Sequence, residues 1–377
     1  MIVLRLCCSL RLHPDYDDFR TKLRQSLLNR TTTNDEMINA ALEVLRTVSK
    51  ADHSQVLVVN VDDALKILVD NAIEEFGFPP RDAYHGVFNL TDARADHDAV
   101  VGRLTYSQLV DIVRLFSETC KLGDISDRVV AIHPYEYSTH RTKWKMDFKS
   151  TRIRAKVTEL MWVEEIDHLR EMYSSLSGFS EGSSLVGWIF ETMAHRMLSN
   201  GWRGSKPLPM KSNGRNPPAF TIAKSLHVPG TSQSAHKEPP GGPSVITSVI
   251  FTKDGVTNVS LEKGKYYKPA KANNPLFDSF KIDYNPKKRT VVISIFQATI
   301  SPSHGGSKDG YVLIRKIMSS VRQLLKNANS NATLQVTYFL VCPDDGSGHQ
   351  WQMPTSWGEK VTRNDHRGDV FCIRIPI

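Results

Sequence analysis

No apolar run in this chain of 377 residues approaches the roughly 20 residues that a membrane-spanning helix needs, so no membrane partner is expected. Cysteine is scarce. The five cysteines, at positions 7, 8, 120, 342 and 372, have neither the spacing of a metal site nor the density of a disulfide framework, and reduced thiols are expected. The phosphate-cradling pattern GxxxxGK[ST] is missing too. The lone Gly264-Lys265 pair lacks the earlier glycine and the following hydroxyl residue that hold phosphate and Mg²⁺, which excludes nucleotide hydrolysis of that type. The opening MIVLRLCCSL is too short, and too interrupted by Arg5, for a secretory signal. It reads as the start of a strand, or of a chain that begins further upstream, and secretion is not expected from it.

Acidic residues thin out along the chain. Residues 1–200 carry 24 Lys and Arg against 29 Asp and Glu, a net −5, whereas 201–377 carry 24 against 11, a net +13. A phosphate-rich partner is therefore expected for the second half. With 40% apolar and 23% charged residues, the composition is that of a globular chain of about two domains.

The first half has helical rhythm. DYDDFRTKLRQSLL, DEMINAALEVLRTV, VDDALKILVDNAIEEFG and SQLVDIVRLFSETC space their apolar residues three or four apart, and QVLVV and RVVAI read as short strands between them. One long helix is predicted over about 152–176, then GFSEGSS marks a joint. The boundary is placed there, giving domains 1–178 and 179–377. Beyond it come a helix, SSLVGWIFETMAHRMLSNG, with Ser183 or Ser184 as N-cap and Gly201 as C-cap; a Pro, Gly and Ser-rich stretch; strands from 244 onward, including one over VTNVSLEKGKYYKP; the helix DGYVLIRKIMSSVRQLLKN; and two last strands. That order predicts an α+β or α/β fold with a mixed sheet.

FDSFKIDYNPKKRTVVISIFQAT, residues 277–299, reads as a hairpin with three polar residues on otherwise apolar arms. Asn285-Pro286-Lys287-Lys288 suits a type I turn, which pairs Tyr284 with Arg289 and Asp278 with Ile295. Side chains alternate with period two, so Asp278, Gln297 and Thr299 share a face. Asp278 and Gln297 are then diagonal neighbours about 7–8 Å apart, able to share a metal ion or a substrate.

An Asp at a strand start, followed on the next strand by two polar groups two apart, has the layout of the PD-(D/E)XK nucleases. The wording around it is similar to the Crinkler effector family and the related retrotransposon-hot-spot proteins. YYKP (266–269), NNPLFDSF (273–280), FQATISPSHGG (296–306), GYVLIRKIM (310–318) and DHRGDVFCIRIP (365–376) carry the resemblance. Upstream, so do FGFPPRDAYHGVFN (76–89), VVAIHPYE (129–136), WKMDFKS (144–150) and LVGWIFETMAHRMLSNG (185–201). It covers roughly residue 76 to the end.

The resemblance implies a restriction-endonuclease-like domain over 179–377 with a QxT form of the motif, cleaving nucleic acid, DNA first, with Mg²⁺ or alternatively Mn²⁺. Glu191 matches the acid on the first helix, Asp278 the strand-start acid and Gln297 the third ligand position, so these three would hold the metal. Thr299 stands where the family pattern has lysine, and His304 and Lys308, in the loop before the next helix, are candidates to supply the missing function. Residues 1–178 would be a helical companion or a remnant of an NTPase module without its P-loop. Action inside a cell, at the nucleus, and contact with host proteins are further expectations. A catalytically inactive member that binds DNA or a host protein is the alternative, because Gln297 is neutral and Thr299 carries no charge.

Each residue also has a plainer reading. Asp278 could cap a turn, Gln297 and Thr299 could be a buried hydrogen-bonded pair, and Glu191 and His195, four apart on one helix, could be a surface pair. His304 could be an ordinary loop histidine. Lys263, Lys265, Lys268 and Lys271 with Tyr266 and Tyr267 fit a strand that contacts phosphates while its rings stack on bases; a charged edge strand is the alternative.

Overall fold

The computed structural model describes Asn39 and residues 61–377, apart from 78–81, 83–84, 88, 120–125, 137–139, 164–165, 179–182, 202–205, 216, 223–245, 254, 263, 271–273 and 358–365. The helix expected over 15–28 and the strand QVLVV fall outside the described residues, as does the helix expected over 35–48 apart from Asn39, which is helical. The chain divides into two compact units, Met1–His168 with Met172–Trp188 and Leu169–Glu171 with Ile189–Ile377. The division lies further along than the 178/179 joint, inside a helix.

The first unit is mainly helical. Helices α1 (Val61–Phe76), α2 (Leu90–Val101), α3 (Tyr106–Thr119) and α4 (Ser126–Val129) precede an antiparallel hairpin of β1 (Val130–Glu136) and β2 (His140–Phe148). Asn89 caps α2 by accepting the Asp92 N–H at 3.2 Å, one of the donors a helix start leaves unpaired. Ala72, Phe76 and Ala93 form a small core, with Ile73, Val87 and Leu90 packed against it. The helix expected over 152–176 is described as α5 (Thr151–Val163) and α6 (Ile166–Ser177), with residues 164–165 between them outside the described residues. Ser150 starts α5: its Oγ accepts the Ile153 N–H at 3.1 Å and donates to the Glu75 carbonyl at 2.6 Å.

Helix α7 (Ser183–Ser199) ends where Gly201 takes φ +74°, the left-handed conformation that glycine tolerates best. The second unit follows. Its main sheet has seven strands in the order β3 (Leu208–Pro209), β13 (Asp369–Ile375), β11 (Thr333–Pro343), β9 (Thr290–Ala298), β8 (Ser279–Asn285), β7 (Tyr266–Pro269), β6 (Ile246–Val249). The pairs β9/β11, β11/β13 and β6/β7 are parallel and the others antiparallel, so the sheet is mixed as expected. Of the strand expected over VTNVSLEKGKYYKP only YYKP pairs in the sheet; Asn258 turns the chain at φ +61° before it.

Helix α8 (Asp309–Asn327) crosses from β9 to β11. It buries Tyr311, Ile314, Ile317, Val321 and Leu325, three or four apart, against Phe280, Ile282, Ile293, Ile295, Tyr338 and Leu340 of one sheet face. Each such side chain contributes about 1.5–3 kcal/mol relative to exposure. The other face carries a row of rings across four strands. Tyr266 and Phe296 lie 5.9 Å apart, Phe296 and Phe339 5.3 Å, and Phe339 and Phe371 5.7 Å. A second sheet runs in the order β10 (Ser303–Gly305), β12 (His349–Gln352), β5 (Ala219–Ile222), β4 (Lys211–Ser212). Cys342 and Cys372, on adjacent strands, are buried thiols with their sulfurs 3.1 Å apart.

Candidate functional site

The hairpin keeps the expected face but shifts its register. Asn285 pairs with Thr290 and Tyr284 with Val291, where Tyr284 was expected opposite Arg289. The loop takes in Arg289, at φ +49°, and the Asn285 side chain closes it by accepting the Lys288 N–H at 3.0 Å. A shift of two residues preserves parity. Ser279 pairs with Phe296, so Asp278 comes directly opposite Gln297, nearer than the diagonal placement expected.

Three features hold the Asp278 carboxylate. The Asp278 N–H donates to the Phe296 carbonyl at 2.9 Å, just past the last pair of the ladder. Its Oδ2 accepts from Gln297 Nε2 at 2.7 Å and from the Ala298 N–H at 2.7 Å. The loop before it is clamped by the segment that leads into α8: Ser307 N–H donates to the Pro275 carbonyl at 2.7 Å. Gly310 permits that approach, since a Cβ there would stand 2.2 Å from the Leu276 Cβ.

Glu191 and His195 project from α7 one turn apart. His195 is buried, with Nε2 3.2 Å from Glu191 Oε1 and Nδ1 2.9 Å from the Tyr266 hydroxyl. The expected surface pair is therefore corrected: His195 is buried and Glu191 half-buried. Glu191 Oε1 also accepts from Lys268 Nζ at 3.1 Å. The β7/β8 ladder stops at Tyr267 opposite Phe280, two residues short of Asp278, so Lys268 and Asp278 both stand past the end of that pairing.

The charges act on one another. Burial, and then the nearby Glu191 carboxylate, raise the Asp278 pKa against the pull of the Ala298 N–H, Lys268 and Gln297. Burial also works to raise Glu191, but the His195 hydrogen bond and the Lys268 charge outweigh it and hold Glu191 below the usual carboxylate range. Burial, helped by the Lys268 charge, lowers His195 to about 4, so its imidazole is neutral at pH 7. Glu191, Asp278, Gln297 and Lys268 thus belong to one cluster.

The other expected site residues lie elsewhere. Thr299 has its hydroxyl committed to the turn after β9, accepting the Ser301 N–H at 3.0 Å. His304 is not in a loop; it sits on β10, paired with Trp351 of β12 in the second sheet. Lys308 is the exposed residue just before α8. Lys265 pairs with Glu262 at 2.6 Å, and Lys263 and Lys271 fall outside the described residues. The stacking role expected of Tyr266 and Tyr267 is corrected: the rings are 1% and 0% exposed. Tyr267 stacks on Phe280 at 5.0 Å and Tyr266 packs beside Phe296, because β7 is an inner strand with both faces covered.

Sequence reasoning missed the place of Lys268 beside Glu191. Period-two alternation in YYKP would have paired Lys268 with Tyr266 on one face, but nothing marked that face as the one toward α7. Oxygen donors are available to a hard cation. Glu191 Oε2 and Asp278 Oδ1 carry no hydrogen bond among the described residues, whereas Oε1 and Oδ2 each accept two. Mg²⁺ is held through one or two carboxylates plus water and phosphate oxygens, and this pair fits that demand. Among the described residues there is no cluster of three or more His, Cys, Asp or Glu able to hold a metal. Gln297 turns its amide nitrogen to Asp278 and to the Ala298 carbonyl, the latter at 3.1 Å, and so supports Asp278 instead of adding an oxygen.

Comparisons with protein-family models, curated proteins and solved structures return no match to this chain. No helix among the described residues is long and apolar enough to cross a membrane.

Proposed function

We propose that the second unit is a restriction-endonuclease-like phosphodiesterase of the Crinkler effector type, cleaving nucleic acid, DNA first, with Mg²⁺ or Mn²⁺, and acting at the nucleus. The observation that carries this reading is the half-satisfied carboxylate pair: Glu191 and Asp278, electrostatically coupled, each gripped through one oxygen with the other left over. Asp278, whose ionisation is opposed by burial and by the Glu191 carboxylate, would be stabilised in its ionised form by a divalent cation. Glu191 and Asp278 would hold it, and when bound it would polarise the scissile phosphate and lower the pKa of a coordinated water.

The chain's own groups do the rest. Lys268 puts an ammonium beside Glu191, near Asp278, where a phosphate would be drawn in. Gln297 and the Ala298 N–H fix the Asp278 carboxylate, and the Pro275–Ser307 clamp fixes the loop that carries it. Thr299 has no part in the chemistry, and Lys268, in place of His304 or Lys308, supplies the cationic group.

Plasmid nicking tests the reading. The full chain should nick supercoiled DNA with Mg²⁺ or Mn²⁺, not with EDTA, and Asp278→Asn should abolish nicking. A wild-type chain that nicks nothing with either ion sinks the catalytic reading. One observation favours the alternative, a member that only binds DNA or a host protein: Gln297 presents nitrogen, already bonded, at the third ligand position. DNA affinity without cleavage, unchanged by EDTA, is its signature.

A further inference from the structure

Behind Glu191 a line of polar groups runs into the sheet. Glu191 Oε1 and His195 Nε2 are 3.2 Å apart, His195 Nδ1 and the Tyr266 hydroxyl 2.9 Å, and the Tyr266 hydroxyl and Ser279 Oγ 2.5 Å. His195, Tyr266 and Ser279 are 2%, 1% and 0% exposed, so solvent offers them no substitute partners. Such a line in an otherwise aromatic face costs desolvation at every member unless each is hydrogen-bonded. Here each is, and the direction of every bond follows from the end that can only accept.

A carboxylate has no proton to give, so His195 must donate from Nε2. The ring is shut off from solvent, and the Lys268 ammonium already sits on the same Glu191 oxygen, so a second cation has no counter-charge there. The ring is then neutral, with a lone pair on Nδ1, and the Tyr266 O–H must donate to it. The Tyr266 oxygen in turn accepts from the Ser279 O–H. No member can reverse without setting two protons or two lone pairs face to face.

We propose that Ser279, Tyr266 and His195 form a relay of positioning residues that fixes the His195 tautomer as Nε2–H and thereby holds Glu191 through Oε1, leaving Oε2 for the ligand. For its ligand the relay rests on the two-carboxylate reading above; its hydrogen-bond direction does not. Ser279 is adjacent to Asp278, so the relay also ties the helix acid to the strand that carries the other one. Groups that orient a metal-binding side chain affect affinity about 10–100-fold when removed.

The test uses the full chain with ¹⁵N-labelled histidine at pH 7. One imidazole, missing in His195→Gln, should show a slowly exchanging proton on Nε2 and an Nδ1 shift typical of a nitrogen accepting a hydrogen bond. In Tyr266→Phe the Nδ1 shift should move to that of an unbonded lone pair, proton exchange should quicken about tenfold, and Mn²⁺ affinity should fall about tenfold. The cleavage rate at saturating metal should hold. Ser279→Ala removes the far end of the relay without touching the ring, and should give the same changes in smaller measure if Tyr266→Phe does not fold. A wild-type His195 protonated on Nδ1, or a Tyr266→Phe spectrum with unchanged Nδ1 shift and exchange, overturns the relay. The expected imidazole signature without any Mn²⁺ binding supports the relay and sinks the phosphodiesterase reading instead.

Discussion

Both units bury acidic side chains, and they treat them differently. In the first unit the buried acids Glu75 and Asp82, and the half-exposed Asp98, meet cations. Arg94 grips both oxygens of Glu75, with Arg152 3.6 Å away. Arg152 also holds both oxygens of Asp98, at 2.8 and 2.9 Å. Asp82 pairs with Lys149 at 2.5 Å, the two side chains 6% and 2% exposed. In the second unit two coupled acids share one lysine, and each keeps an oxygen without a hydrogen bond. One chain thus supplies its own control. Where burial serves stability the charges are closed off in pairs, and where they are left open a ligand would complete them, as proposed for Glu191 and Asp278.

The comparison breaks most visibly by removing one acid from each unit. Asp82→Asn leaves Lys149 buried beside a neutral partner, and should cost on the order of 3–5 kcal/mol, unfolding the first unit at lower denaturant. Asp278→Asn should do the opposite. It removes a carboxylate whose ionisation burial opposes, keeps an acceptor for the Ala298 N–H, and should leave stability equal or higher while cleavage falls ~100-fold or more. DNA affinity should hold or rise slightly. Equal losses of stability in the two variants, followed by denaturant titration, would make Asp278 a structural cap and erase the distinction.

Gln297→Glu sharpens the contrast at smaller magnitude. From the hairpin alone, restoring a carboxylate at the third ligand position looks favourable. With Gln297 Nε2 donating to both Asp278 and the Ala298 carbonyl, the new carboxylate instead faces two acceptors. The metal-free unit should lose about 1.5–3 kcal/mol, and Mg²⁺ should recover most of it. A Gln297→Glu melting temperature that ignores Mg²⁺ would argue against a cation at this pair.

Acid should weaken the first unit through a buried histidine. His97 is buried against Phe76 at 4.8 Å, and burial lowers its pKa to about 4. A depressed histidine stabilises the fold above its unfolded pKa, near 6.5, and that stability is lost as pH falls from there through about 4. His97→Phe should flatten this loss in the first unit without altering metal binding in the second.

Parity was legible in the hairpin, and register was not. The alternation of FDSFKID and VVISIFQ put Asp278 and Gln297 on one face however long the loop, provided its length changed by an even number. Arg289 in a left-handed conformation is not something that an arginine advertises. The burial of Tyr266 and Tyr267 was hidden by their lysine neighbours, which suggest an edge strand; only the pairing of β7 on both sides, with β6 and β8, shows an inner one. Glu191 was legible through resemblance alone. Its helix is apolar on nearly every side and carries no pattern that singles out the acid.

The smallest effect, and the one most specific to the open pair, is expected on the alkaline side. Asp278 has a folded-state pKa above its ordinary value, for which burial is the first cause and Glu191 the second. Its contribution is fully present below the unfolded carboxylate pKa, near 4, and is lost as pH rises through the raised folded value. Metal-free protein should therefore lose about 1 kcal/mol from the second unit between mildly acid and mildly alkaline pH, a fall of roughly 2–4 °C in its melting temperature. Mg²⁺ should cancel the fall, because a cation stabilises the ionised form, and cleavage should climb over the same interval. Asp278→Asn, with nothing to ionise, should show no fall and no response to Mg²⁺. A second unit whose melting temperature is flat across the interval, with or without Mg²⁺, would mean that Asp278 is as well satisfied as Glu75, and that the open pair is closed after all.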